Sequence, residues 1–249
     1  MRSFYLALVL LVFTTACTKV TSIRYNPGYN NVLSKHQEVI ILPPAAEVNT
    51  VDIGGKKKRV YNYEANLEQL IAAETNTDLQ ELGFNVKVMH RKNFHDLGIY
   101  DHYLRLRDTY DTARRELYQP LLWEESKAFA IANRLGESAI IVGKKTKSDI
   151  IIMVDYAGMV KTNGARALDL TLTLLTGHHN SSNNAESSLM IIGIIDAKTG
   201  NILWTNMSVD DKDLFSSAIN NFSSQNNIDV KRLNKLIENI FKPLKKDLA

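Results

Sequence analysis

The sequence predicts an α+β fold: a mixed, mainly antiparallel sheet of about six strands with packed helices and a helical insertion. Three observations carry this expectation. Residues 189–195 and 201–207 are apolar runs separated by Asp196-Ala197-Lys198-Thr199-Gly200, a Gly-ended loop of hairpin length. Short apolar runs at 38–42 and 84–89 bracket a stretch in which Leu67, Leu70, Ile71, Leu79 and Leu82 recur at helical spacing. The chain closes with Val230, Leu233, Leu236, Ile237, Ile240 and Phe241, the stripe of a final helix whose Lys242, Lys245 and Lys246 complement its C-terminal dipole.

Each element has its own local reason. The run 38–42 is a buried strand that Pro43 and Pro44 stop, since proline cannot donate to a ladder. Gly83 stands where a helix C-cap belongs, and 84–89 alternates as the second strand. Between His90 and Gly136 two helical segments are expected, one over about 100–118 and one opened by Pro120 and closed at Gly136. Residues 148–160 and 165–176 read as a strand pair turned at Asn163-Gly164, with Tyr156 opposite Thr171. That register sets Asp155 on a leucine face, a conflict that a bulge, a sheet edge or a functional carboxylate would each resolve. Residues 177–188 are Ser- and Asn-rich and read as a loop; the hairpin's first arm, apolar at nearly every position, reads as a strand covered on both faces. A short helix is expected over 214–222.

With 249 residues, 45% hydrophobic and 23% charged, the chain has ordinary globular composition. The net charge is +3, and without residues 1–16, which contain Arg2 alone among charged residues, 29 basic side chains face 27 acidic ones. That balance argues against nucleic acid as a partner.

A single cysteine, Cys17, excludes an internal disulfide, a thiolate zinc cluster and a Cys-x-x-Cys redox pair. Arg2, the apolar run 4–13 and Thr14-Thr15-Ala16-Cys17 follow the basic, apolar, small-residue order of a secretory signal. Ending in small residues directly before Cys, it resembles a bacterial lipoprotein signal, with Thr14 where that motif usually has Leu. The resemblance implies a signal peptide over 1–16, lipidation of Cys17 and, with Thr18 rather than Asp following, residence on the periplasmic face of the outer membrane. Two or more acyl chains anchor stably where one does not. Residues 17–36 read as a polar tether, leaving one periplasmic domain over 37–249 with its helical insertion at 90–136.

Motifs for chemistry are absent. The six histidines show no zincin spacing, and no nucleophile elbow, phosphate loop or dinucleotide fingerprint occurs. No catalytic residue, metal site or cofactor is assigned, and the expectation is a non-enzymatic protein. The residues that stand out lie on the first helix of the insertion, where tyrosines and arginines interleave. Both types are enriched where proteins bind partners, so Tyr103, Arg107, Tyr110 and Arg114 are the candidate docking face; the alternative is that the tyrosines pack the helix onto its own domain. Lys56-Lys57-Lys58-Arg59 is either a solvated turn or a contact for anionic lipid or glycan.

The order of lipoprotein signal, tether, Glu-Val-Ile-Ile-Leu-Pro-Pro, a helix ending in Leu-Gly-Phe, strand pairs, Asp-Ala-Lys-Thr-Gly-Asn-Ile-Leu-Trp and a terminal helix resembles one family over roughly 39–241. It is that of the outer-membrane lipoproteins built on the fold of the N-terminal domain of the Tol translocation protein. The family includes the curli-secretion pore subunit and the lipoprotein activators of penicillin-binding proteins. The resemblance implies a docking or assembly role in an envelope complex of the secretion or cell-wall machinery, with peptidoglycan among the potential partners. The insertion reads as helical and charged, unlike the alternating segments that build a barrel. A glycan- or small-molecule-binding lipoprotein is the alternative, the tyrosines then supplying stacking faces.

Overall fold

The computed structural model describes residues 21–33, 37–118, 129–162, 187–210, 214–215 and 228–248. Its strands are β1 (Thr21–Tyr25), β2 (Glu38–Ile41), β3 (Ala45–Val51), β4 (Lys57–Arg59), β5 (Asn85–Val88), β6 (Phe129–Ala130), β7 (Ile150–Lys161), β8 (Ser187–Asp196) and β9 (Ile202–Asp210). Its helices are α1 (Tyr29–Val32), α2 (Tyr61–Glu81), α3 (Arg91–Asp96), α4 (Tyr100–Leu117), α5 (Glu137–Thr146) and α6 (Val230–Leu248). The fold is α+β, and the strands form one mixed sheet whose main path runs β4-β3-β7-β8-β9-β1-β6.

Strand β7 organises this sheet. One edge carries β8, antiparallel from Ile150 opposite Asp196 to Met159 opposite Ser187. The other edge is shared: β2 runs parallel beside residues 150–152, and β3 beside residues 155–161. Pro43 and Pro44 interrupt the ladder between β2 and β3, and the same chain then resumes alongside the same partner. The prolines are therefore a break in one extended path; Leu42 N still donates to the Ile152 carbonyl at 3.0 Å. Strand β5 pairs with β2 and β4 with β3, so the sheet forks at the break.

Because successive side chains alternate, the faces of β7 serve two cores. Ile150, Ile152, Val154, Tyr156 and Val160 pack with α2 and α6. Ile151 and Met153 pack with α3, α4 and α5. The sheet is thus covered on both faces, which is why β7 and β8 are nearly all apolar. On one face Trp204 stacks parallel to Phe241 of α6, centroids 6.4 Å apart. The Asn206 side chain donates to the Ile240 carbonyl at 2.9 Å, fastening α6 to β9 one turn before Pro243. The hairpin turn closes as its sequence predicts: Gly200 has φ 74° and donates to the Asp196 carbonyl at 2.8 Å, while the Asp196 carboxylate accepts from Lys198 N and Thr199 Oγ1.

Several expectations are corrected. The polar tether expected over 17–36 gives way within that range to folded structure: residues 21–25 are β1, paired antiparallel to β9, and α1 follows. The polar sequence hid a strand that is held by main-chain bonds. The sheet has more strands than the expected six because β1, β3, β4 and β6 are short or polar. Residues 129–136 are not helical: β6 pairs parallel to β1, and Leu135 N donates to the Gly200 carbonyl. The helix that Gly136 was expected to close instead begins there, as α5. Tyr156 lies opposite Met190 and Ala46 rather than Thr171, since both edges of β7 are occupied. Residues 165–176, with the Asn163-Gly164 turn, fall outside the described residues, as do 119–128 and 216–222; Phe215 itself bridges to Ile228 rather than opening a helix. Val230 is exposed at 39% and leaves the α6 stripe, and Lys245 pairs with Asp78 and Glu81 of α2 at 2.6 and 3.0 Å instead of only facing the helix end.

Gly193 in β8 receives the ring of Tyr110. A Cβ built there would lie 2.6 Å from Tyr110 Cε2 and 2.8 Å from Cζ, so only a hydrogen allows α4 to lie this close to the sheet. Gly193→Ala should cost about 1–3 kcal/mol through overpacking, read as a lower urea midpoint with an unchanged slope.

Candidate functional site

Helix α4 is the element from which the site is built. Tyr103, Leu106, Tyr110, Ala113 and Leu117 are its buried residues and recur every three to four positions, fixing the face that meets the sheet. Asp101 in the first turn and Arg114 and Arg115 in the last complement its dipole. Arg107, Asp111 and Arg114 then lie along one flank, just above the buried stripe. That flank meets the one acidic residue of β7, Asp155, which projects from the same face as Ile151 and Met153.

The result is a chain of alternating charges running from the interior to solvent. Arg107 Nη2 donates to Asp155 Oδ1 at 2.5 Å, with side-chain exposures of only 17% and 12%. Arg114 Nε lies 3.1 Å from Asp155 Oδ2, and its Nη2 donates to Asp111 Oδ1. Arg115, 75% exposed, completes the series at 2.5 Å from Asp111 Oδ2. Burial raises the affinity of Asp111 for a proton, but Arg114 and Arg115 outweigh it and hold its pKa below the ordinary value. Burial likewise disfavours the Arg114 charge, and Asp155 and Asp111 more than restore it, raising its pKa. The conflict of an acidic residue on an apolar face is resolved by these two arginines and needs no bulge.

A cavity of about 480 Å³ opens beside this cluster, between α4 and the strands β3, β7 and β8. Glu47, Arg59, Arg107, Arg114 and Arg115 line it with Leu189 and Ile191. Arg59 is held by Glu64 through Nε–Oε1 at 2.8 Å and Nη2–Oε2 at 3.1 Å, and Glu64 also accepts from Val48 N. Arg107 Nη1 is buried without a hydrogen-bond acceptor among the described residues, and Arg114 Nε and Asp155 Oδ2 meet only as an ion contact, without hydrogen-bond geometry. A second cavity of about 460 Å³ lies at the fork of the sheet, lined by Pro43, Pro44, Ala72 and Met89, with Glu68 and Arg91 paired at 3.1 Å.

Of the four residues assigned to docking, the structure separates the tyrosines from the arginines. Tyr103 and Tyr110 are 5% and 1% exposed and offer no surface to a partner. Tyr103 stacks on Phe94 at 4.5 Å, Tyr110 covers Gly193, and the flanking Tyr118 donates to Thr205 Oγ1 at 3.3 Å. Burial raises the pKa of Tyr110, as it does that of Tyr103. They fasten the helix. Arg107 and Arg114 do come together, through Asp155, in the wall of the groove. Arg59 and Glu47 were not anticipated; they reach it through the β3–β4 pairing, which the sequence did not announce. Cys17 lies outside the described residues.

Chemically the cluster is suited to recognition. Both Asp155 oxygens face guanidinium groups, and an arginine does not give up its proton at neutral pH, so no acid–base pair is formed here. Among the described residues there is no group of three or more metal-binding side chains and no helix long and apolar enough to cross a membrane. Guanidinium forks in a groove do match carboxylate, phosphate and carbonyl acceptors.

No protein-family model matches the sequence, and no curated protein matches it. Among solved structures the chain is similar to the PelC dodecamer from Paraburkholderia phytofirmans, at TM-score 0.40 and 10% identity over 90% of this chain and 96% of that one. It is similar also to lipoprotein GNA1162 from Neisseria meningitidis, at TM-score 0.39 and 12% identity over 84% of this chain and 99% of that one. The C-terminal domain of LpoB from Salmonella enterica aligns at TM-score 0.27 and 10% identity, over 71% of this chain and 84% of that one. The likeness is one of outline, and no role is carried across from it.

Asp111 has a folded pKa below its unfolded value, so its contribution to stability is complete above about pH 4 and is lost as pH falls through the folded value. Asp111→Asn should lower Tm at neutral pH, and the gap from the unsubstituted protein should close below about pH 4 in thermal melts.

Proposed function

We propose that this chain is an outer-membrane lipoprotein, anchored through Cys17 on the periplasmic side, that acts without catalysis as a docking component of an envelope complex. The arginine-lined groove is its docking face. The observation that carries this reading is the Arg107–Asp155–Arg114 cluster: its opposite charges face one another, yet Arg107 Nη1 and Arg114 Nε are buried donors without a hydrogen-bond acceptor beside an open groove. A buried donor of this kind favours an occupant that brings an acceptor. The exposed Arg115 at the rim suits steering of an acidic partner segment. The lipoprotein-type order before Cys17 supports the address.

A photo-crosslinking residue at Arg115 should yield a discrete protein adduct in cells, and the same residue at the exposed Lys87 of β5 should not. Equal labelling at both positions, or none at Arg115, would overturn the docking face. A second reading, glycan binding in the groove, is favoured by the same buried donor; titration calorimetry with peptidoglycan fragments should then show heat that Arg107→Ala abolishes. For the anchor, Cys17→Ser should abolish palmitate incorporation and release the protein from the membrane fraction, and retention with label would exclude it.

A further inference from the structure

The lysine run of the sequence has a defined place in the fold. Thr21 opens β1 opposite Ser208 near the end of β9; Asp210, at that end, lies opposite Ser188 near the start of β8. Ser187 lies opposite Met159 near the end of β7, and Lys161, at that end, lies beside Val51, the last residue of β3. Val51 in turn faces Lys57, the first of β4. The start of β1 and the β3–β4 turn therefore face the same end of the sheet, four strand spacings or about 19 Å apart across it, with the turn carried about 17 Å further along because Thr21 is level with Ala46. Cys17 precedes Thr21 by four residues, a reach of at most about 14 Å.

That turn is built as a small projecting unit. Asp52 N donates to the Lys56 carbonyl at 3.1 Å and Gly55 N to the Asp52 carbonyl at 3.0 Å, while the Asp52 carboxylate accepts from Lys56 N at 2.8 Å. Gly55 takes φ 78°. At its tip Ile53 is 61% exposed, an apolar side chain held out by a closed turn. Lys56, Lys57 and Lys58 follow, all exposed, with Lys161 on the neighbouring strand end. Among the described residues the acidic groups at this end are Asp52, engaged with the backbone, and Asp210. An apolar tip beside a basic cluster matches the boundary of a bilayer containing anionic headgroups, where each lysine strengthens binding about fivefold.

We propose that the β3–β4 turn is a second membrane contact: Ile53 enters the headgroup boundary and Lys56, Lys57 and Lys58 engage anionic phospholipid, orienting the anchored domain. The proposal rests on the lipid anchor at Cys17. To test it, Ile53→Cys is labelled with an environment-sensitive fluorophore in the full lipidated protein. The protein is reconstituted into vesicles of phosphatidylethanolamine with a quarter phosphatidylglycerol, and co-flotation is checked first. The label should shift to the blue and be quenched by brominated lipid. Phosphatidylcholine vesicles, or Lys56→Glu, Lys57→Glu and Lys58→Glu combined, should cut the quenched fraction at least tenfold; a label at Leu97→Cys should stay in water. A water-like signal from position 53 in floated protein overturns the contact while leaving the anchor standing, and so does insertion that survives the three charge reversals. Protein that does not float overturns the anchor and this contact with it.

Discussion

The constraint on which the rest depends is that β7 carries strands along both edges and is buried on both faces over residues 150–154. It pairs with β8 on one side and with β2 and then β3 on the other, on either side of the proline break, and helices pack on both its faces over residues 150–154. Buried backbone must be paired somewhere, and a strand so enclosed determines what its neighbours can do. It forces the chain through Pro43 and Pro44 to remain alongside it. It forces α4 to lie flat over Gly193. It also means that a single charged residue on this strand has to bring its partners inside with it.

Asp155 is that residue. Taking a carboxylate out of water is costly unless charges and hydrogen bonds replace the solvent. Here α4 supplies two guanidinium groups, two turns apart, on either side of the Asp155 carboxylate, and Asp111 in turn sits between Arg114 and Arg115. Arginine suits the task better than lysine, because its planar fork can hold two acceptors at once and keeps its charge when partly buried. Guanidinium groups fixed in this way present donors of set direction to carboxylate, phosphate or carbonyl acceptors.

Much of this was legible in the sequence. The hairpin of β8 and β9 followed from two apolar arms and a glycine at the turn. Helix α2 and its cap at Gly83 followed from the spacing of Leu67, Ile71 and Leu79. What escaped has a common physical character: β1, β4 and β6 are held by main-chain pairing, and side-chain patterns report burial rather than pairing. Helix α5 escaped because its apolar stretch is short and ends in Gly143, which the close approach of Ala197 requires. At the site, the sequence offered both halves of the ion cluster separately, Arg107 and Arg114 on a helix and Asp155 as a misfit on a strand. Only the crossing of α4 over β7 joins them. The tyrosines misled because interleaving with arginine describes an amphipathic helix as well as it describes an interface.

The antiparallel pairing of β1 with β9 bears on mechanics. Tension entering at the N-terminus would act along β1, across hydrogen bonds that lie perpendicular to the strand. Those bonds would be loaded together in shear instead of opening one after another. With β9 seated beside β8, such a pull would pass into the interior of the sheet and, through Arg24 to Leu117 and Asn206 to Ile240, into helices α4 and α6.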